Sequence, residues 1–140
     1  LHKYLQKRMY LAELYNNILF DNNTVEVFKQ NKRTHVYLRY PIWVSNKWVF
    51  HDYMRKKNIG VGIWFTSTIH PKGVKYEDAK YDPGSCPNAE LAVDHVGNLP
   101  VHPRMNKKDV LKVIKNVLLF MERIDNHDKK MVEEVNPKYY

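Results

Sequence analysis

Two amphipathic helical patterns, one toward each end of the chain, restrict the fold more than any other feature of this sequence. Val110, Val113, Ile114, Val117, Leu118 and Met121 recur at three- and four-residue intervals, the spacing that gathers side chains on one face of an α-helix. Asn106 stands where an N-cap belongs, and Asp109 three residues on is a weak capping-box partner. In residues 1–19 a second stripe runs through Leu1, Tyr4, Leu5, Leu11, Ala12, Tyr15, Ile18 and Leu19, with Arg8 as its one polar member. A helix with a single apolar face has to bury it against another layer, so the segments between these helices must supply that layer.

Those segments are short and mostly β-like. From Thr34 to Val44 the chain is rich in β-branched and aromatic residues, with Val36, Leu38, Tyr40, Ile42 and Val44 on one face. Pro41 has no N–H to donate, which predicts an edge strand or lost pairing in the second half. Val25 and Val27 suggest a brief strand after a turn at Asp21-Asn22-Asn23, a loop follows over residues 30–33, and residues 61–66 resume strand character. Asn46 caps a short helix bearing Val49, Phe50, Tyr53 and Met54, which Asn58-Ile59-Gly60 stops after three basic residues suited to a helix C-terminus. Residues 67–87 contain His70-Pro71, Lys72-Gly73 and Asp82-Pro83-Gly84 and read as a long connection, a kind of segment that is often functional. Ser85 is the expected cap of a brief helix from Pro87 to about Val93, and Asn98 to Val101 is a short extended piece. The expected class is α+β, a small, mostly antiparallel sheet covered by helices.

Composition narrows the function more than it names it. A chain of 140 residues is one domain's worth, and 44% hydrophobic with 13% aromatic residues is enough for one core, which excludes disorder, collagen and coiled coil. The single cysteine, Cys86, excludes an internal disulfide framework and a cysteine-based zinc site, and fits a reducing compartment. No apolar run approaches the ~18 residues that cross a bilayer, so a soluble, cytoplasmic protein is expected. The net charge of +8 suits any polyanion, but the basic residues fall in pairs and triplets without a nucleic-acid motif and read as solvated faces. Leu1 opens the sequence inside an amphipathic pattern, which suggests a piece of something longer.

Glycine-rich phosphate loops, dinucleotide fingerprints and nucleophile elbows are missing from the sequence. The histidines at 2, 35, 51, 70, 95, 102 and 127 offer no helical two-histidine spacing, and no metal site is expected. A thiol at a helix start can be activated, yet a small, partly buried side chain at a turn is the preferred reading of Cys86.

Three segments in order carry a resemblance. They are Arg39-Tyr-Pro-Ile-Trp-Val, then Met54 to Ile63 with His70 shortly after, then Cys86-Pro-Asn-Ala-Glu leading to Leu99-Pro-Val-His-Pro and the helix from Lys107 to Val117. Over about residues 1–120 the chain resembles the C-terminal domain of the DegT/StrS-type sugar aminotransferases, pyridoxal-phosphate enzymes of the aspartate-aminotransferase fold (fold type I). The resemblance implies an interdomain helix over residues 1–22, a small C-terminal α+β domain over 23–124 and a charged tail over 125–140. It implies transfer of an amino group from glutamate, through pyridoxal phosphate, to a nucleotide-linked keto-sugar, in a homodimer whose active site is built between subunits.

The family's Schiff-base lysine, its aspartate partner and its phosphate-binding residues belong to the large N-terminal domain and are unmatched here. The chain alone is therefore expected to hold no cofactor, to supply no catalytic residue and to be inactive. His70, Trp64 and Phe65 match the segment that approaches the sugar nucleotide, and are the expected substrate-binding residues. Trp64 and Phe65 lie in an apolar strand, where at least one must face the core, because successive side chains point to opposite sides. Arg39 and Arg104 are conceivable carboxylate or phosphate clamps, though ordinary surface or structural roles suit them better, and His102 reads as closing the turn before the last helix. The alternatives are a stand-alone basic module that binds nucleotide or nucleic acid, and a degenerate homologue with a regulatory role.

Overall fold

The computed structural model describes residues 1–20, 26–27 and 35–134, with the side chains of 1–20 and 35–124. The expected turn at 21–23, Val25, the loop at 30–33 and the last six residues lie outside the described residues. The elements run α1 (His2–Leu19), β1 (Glu26–Val27), β2 (Tyr40–Trp43), α2 (Lys47–Lys56), α3 (Pro87–His95), β3 (Val96–Leu99) and α4 (Lys107–Glu134). The α+β expectation holds, with an antiparallel sheet in the order β1-β2-β3 and helices packed on its inner face. No helix among the described residues is long and apolar enough to cross a membrane.

β2 is the middle strand, which corrects the edge placement drawn from Pro41. Tyr40 pairs with Leu99 and Trp43 with Val96, while β1 meets β2 only at Ile42 and Trp43. Backbone amides alternate sides along a strand, and the Val44 N–H donates to the His95 carbonyl at 2.9 Å on the β3 side. Tyr40 and Ile42 therefore face β3, and the proline nitrogen faces β1, where described pairing begins one residue later. The strand is also shorter than Thr34–Val44: residues 35–39 are irregular and leave Val36 and Leu38 exposed. The 61–66 segment forms only a single bridge, Gly62 with Asn98, on the far side of β3.

Tyr40, Ile42 and Leu99 turn inward and are fully buried with the helices above them. α1 contributes Leu11, Ala12, Tyr15 and Leu19. Its tyrosine lies against the Tyr40 ring, centroids 4.9 Å apart, and donates to the Pro100 carbonyl at 3.0 Å. The Tyr40 hydroxyl donates to Asn16 Oδ1 at 2.7 Å, so each buried phenol has a partner. The N-terminal half of the helix lacks such cover, and Leu1 and Tyr4 are exposed although they continue the same stripe.

α2 is capped as expected, with Asn46 Oδ1 accepting from the Trp48 and Val49 amides at 3.0 and 3.1 Å. It ends in a Schellman motif: Asn58 adopts φ 57°, its amide donates to the Arg55 carbonyl, and the Ile59 amide to Met54. Phe50 and Met54 are buried, Tyr53 is partly so, and Val49 is exposed because it falls beyond the contact arc. The Phe50 ring rests on β3 so closely that a Cβ at Gly97 would stand 3.1 Å from it. The same ring meets Phe120 of α4 edge-on at 5.1 Å, a buried residue that the periodicity of the sequence did not single out. α4 begins with the Asn106–Asp109 capping box, both halves formed, and its backbone stays helical through Glu134, into the span read as a tail. α3 starts with Pro87 at its first turn, but its cap is Cys86, without a side-chain hydrogen bond, and it runs to His95. Cys86 is exposed rather than partly buried.

Removing the Phe50 ring leaves a cavity where two helices meet the sheet. Phe50→Ala is expected to cost about 3–5 kcal/mol in urea unfolding. Val49→Ala should stay within about 0.5 kcal/mol, and equal losses would contradict the buried face assigned to α2. A second prediction concerns alkaline pH. Burial raises the Tyr15 and Tyr40 phenols above their usual 10.0, with smaller contributions from neighbouring groups. The unfolded chain then loses these protons at lower pH than the folded one. Their stabilisation is complete below the usual value of 10.0 and is lost as pH climbs past it. Urea midpoints should decline in that range, less steeply for Tyr15→Phe, and an unchanged slope would count against it.

Candidate functional site

The chain leaves the Gly62–Asn98 bridge and turns outward, and this departure from the sheet creates the candidate site. Trp64 and Phe65 are each 59% exposed, so the expectation that one of them faces the core is not met. The reason is local: without a continued ladder, side-chain alternation no longer forces one ring inward. Both rings line a cleft of about 250 Å³ together with Ser67 and Thr68 of the connection, Ala89, Ala92 and Val93 of α3 and Val96 of β3.

Two side chains hold the backbone beneath these rings. Lys47, at the start of α2, is 1% exposed and donates from Nζ to the Phe65 carbonyl at 2.6 Å. Asn98 of β3 donates from Nδ2 to the Trp64 carbonyl at 2.8 Å. Desolvation lowers the Lys47 ammonium from its usual 10.5, and the Asp94 charge works in the opposite direction. Its single described hydrogen bond offsets part of the cost of burying a cation. The Ser67 hydroxyl donates to the Ile69 carbonyl at 2.5 Å and tightens the following turn. That turn brings the exposed His70 ring edge-on to Phe65, centroids 5.3 Å apart. The structure thus gathers the three residues expected from the sequence at one place, with Trp64 and Phe65 lining the cleft and His70 beside them rather than in its wall.

The end of the long connection is tied to α3, the helix that lines the cleft with Ala89, Ala92 and Val93. Glu90, in the first turn of α3, accepts from the Tyr81 hydroxyl and from the Gly84 amide at 2.6 Å. Gly84 has φ 89°, a left-handed conformation for which glycine carries no Cβ penalty. The hydrogen bond to Glu90 pushes the Tyr81 phenol up to about 12, while the Tyr81 hydroxyl first, then the Gly84 amide, holds Glu90 below its usual range. Beyond the cleft, His102 does close the turn into α4: its Nδ1 accepts the Arg104 amide at 3.2 Å and its carbonyl the Met105 amide at 2.9 Å. Arg39 and Arg104 are not part of the cleft wall.

Sequence reasoning missed Lys47, Asn98 and Glu90. A lysine at the first turn of a helix ordinarily faces water, and an asparagine in a short strand carries no motif, so only the folded positions reveal their acceptors. Pyridoxal phosphate requires an amine for its Schiff base and a cradle of donors for its phosphate. The cleft offers two hydroxyls but neither lysine nor arginine, so its residues do not fit that cofactor. Among the described residues no group of three His, Cys, Asp or Glu side chains could hold a metal ion.

Comparison with known proteins places this architecture. A sequence profile described as the DegT/DnrJ/EryC1/StrS aminotransferase family matches residues 1–118. An uncharacterized protein of Methanocaldococcus jannaschii is 27% identical over 120 residues, covering 80% of this chain and 31% of its own length. A DegT DnrJ EryC1 StrS aminotransferase from Brucella abortus superposes with a TM-score of 0.70 at 22% identity, over 84% of this chain and 31% of its own. A sugar aminotransferase from Micromonospora echinospora gives 0.66 at 16%, over 83% and 30%. NtdA of Bacillus subtilis, solved with bound cofactor PMP, gives 0.65 at 21%, over 85% and 28%. The chain thus spans about a third of the length of these proteins.

The two-point hold on the aromatic pair has a direct test. Lys47→Met removes the donor to Phe65, and the segment around Trp64 should open locally more often. Limited chymotrypsin cleavage there is expected to accelerate several-fold, with Val49→Ala as a control that leaves it unchanged. Equal rates in both variants would show that Lys47 does not hold the segment.

Proposed function

Since this chain belongs to the DegT/DnrJ/EryC1/StrS aminotransferase family, we propose that it is the small, C-terminal, substrate-enclosing part of a pyridoxal-phosphate sugar aminotransferase. The reaction would pass an amino group from glutamate to a keto-sugar carried on a nucleotide, in a cytoplasmic homodimer. The cofactor supplies the electronic chemistry of amino transfer, and the residues that bind it lie outside this chain. Here the residues' part is to enclose and orient. Trp64 and Phe65 present aromatic faces suited to a sugar ring or a base, and the His70 imidazole, with a donor and an acceptor nitrogen, suits hydroxyls or a carbonyl.

The observation that carries this reading is the outward-facing aromatic pair, whose two consecutive carbonyls are held from below by Lys47 and Asn98. Large rings so exposed are costly to leave in water, while their fixed backbone reduces the ordering needed when a ligand arrives. The uncovered stripe on α1 supports the second half of the reading. Leu1, Tyr4, Leu5, Val36, Leu38 and Pro103 share an apolar groove that the rest of a longer polypeptide or a second subunit would cover. The family match does not favour a stand-alone nucleotide or nucleic-acid module.

Two measurements test the proposal. With UDP-glucose as a nucleotide-sugar probe, saturation-transfer NMR should show transfer from the protein that falls in Trp64→Ala/Phe65→Ala and in His70→Ala. Undiminished transfer in these variants, or none in the parent, would remove the enclosing role. Pyridoxal phosphate followed by borohydride should leave no stoichiometric lysine adduct on this polypeptide; one adduct per chain would place the cofactor site here after all.

A further inference from the structure

Arg8 reaches from α1 toward the irregular segment before β2 and donates through the same nitrogen, Nη1, to the Tyr37 and Leu38 carbonyls at 3.2 and 3.0 Å. Those acceptors are neutral, so they orient the guanidinium without cancelling its charge. Most of its five N–H donors remain outside those two bonds. Arg39 lies across the bridge residue Gly62: its guanidinium carbon is 3.8 Å from where a Cβ there would stand, which is van der Waals contact distance. His102 accepts the Arg104 amide at Nδ1, which in the neutral ring places the proton on Nε2 and leaves that nitrogen a donor.

These three side chains line one recess of about 130 Å³, completed by Leu38, Pro100 and Val101. Its wall contains two cations and no carboxylate, and no ion pair among the described residues involves either arginine. Like charges converging on one small space repel, and an anion seated between them relieves that repulsion. The volume admits a compact polyatomic anion and is too small for a nucleoside. Guanidinium forks match tetrahedral oxyanions bidentately, and a doubly charged group balances two arginines better than a single carboxylate does. We propose that the recess formed by Arg8, Arg39 and His102 is a binding site for a phosphate group, separate from the aromatic cleft, with which it shares no lining residue.

The test follows the arginine Nε–H signals of the 140-residue chain by NMR while inorganic phosphate replaces chloride at constant ionic strength, with acetate in a parallel titration. Saturable shifts of Arg8 and Arg39 with phosphate, and much weaker ones with acetate, are expected. Arg39→Gln should weaken binding about tenfold, as loss of a charge-assisted pair does, with Arg39→Lys retaining more affinity than glutamine. Lys112→Gln, an exposed change on α4, should leave it unaltered. Arg8→Gln also removes the tie between α1 and residues 37–38, so Arg39 is the better probe, and its glutamine variant should keep the parent's urea midpoint. Shifts that never saturate, acetate binding as tightly as phosphate, or equal weakening by Arg39→Gln and Lys112→Gln would overturn the proposal. Loss of phosphate binding in Arg39→Gln with unchanged saturation transfer from UDP-glucose would separate this site from the cleft.

Discussion

Hydrogen bonding between β2 and β3 joins parts of the chain that are far apart in sequence, and the helices depend on the surface this pairing makes. Tyr40 opposite Leu99 and Ile42 opposite Gly97 form the inward face. Tyr15 of α1 can lie on one half of that face because the Tyr40 ring is there, and Phe50 of α2 can lie on the other because residue 97 has no side chain. At the end of the ladder His95 adds three more ties. Its carbonyl accepts the Val44 amide, its Nδ1–H donates to the Val44 carbonyl at 2.8 Å, and its ring stacks on Trp43 at 4.9 Å. Pairing of this kind closes a long loop, and the entropy that closure costs has to be offset by the side chains that the two layers bury.

The candidate site arises where this regularity stops. Past Gly62 the chain no longer pairs, and its carbonyls must find other donors, since an unpaired buried carbonyl is costly. Lys47 and Asn98 provide them, from the first turn of α2 and from the middle of β3. A side effect of that repair is that Trp64 and Phe65 are left pointing outward in a fixed position. The long connection is anchored at its other end in the same way, by one carboxylate, Glu90, that accepts from Tyr81 and Gly84. The cleft therefore lies between a segment and a helix that side-chain hydrogen bonds both hold, and α3 lines it with small apolar residues.

The elements most legible in the sequence were those written in local chemistry. The caps at Asn46 and Asn106, the stop at Asn58 and the first and last helices depend on neighbours within a turn or two, and each formed, although the stripe of the first helix is buried only from Leu11 onward. His70, Trp64 and Phe65 were singled out by resemblance, and the fold brings them together. Strand placement was less legible. Pro41 marks one side of a strand as unable to donate, and only the second partner reveals which side that is. Residues 61–66 carry strand composition without the ladder that would make them a strand, because Gly62 alone meets Asn98.

From its sequence alone, this protein was determined to be a basic α+β chain with two amphipathic helices, a capped short helix between them and one cysteine unable to form an internal disulfide. Periodicity and capping are properties of consecutive residues, so they need no knowledge of what lies opposite. The tertiary structure decided that β2 is central, that Lys47 is buried, that both aromatic rings face outward and that Arg8, Arg39 and His102 converge. Each of those outcomes depends on which distant group supplies a hydrogen bond or occupies a space, and that information exists only once the chain has closed on itself.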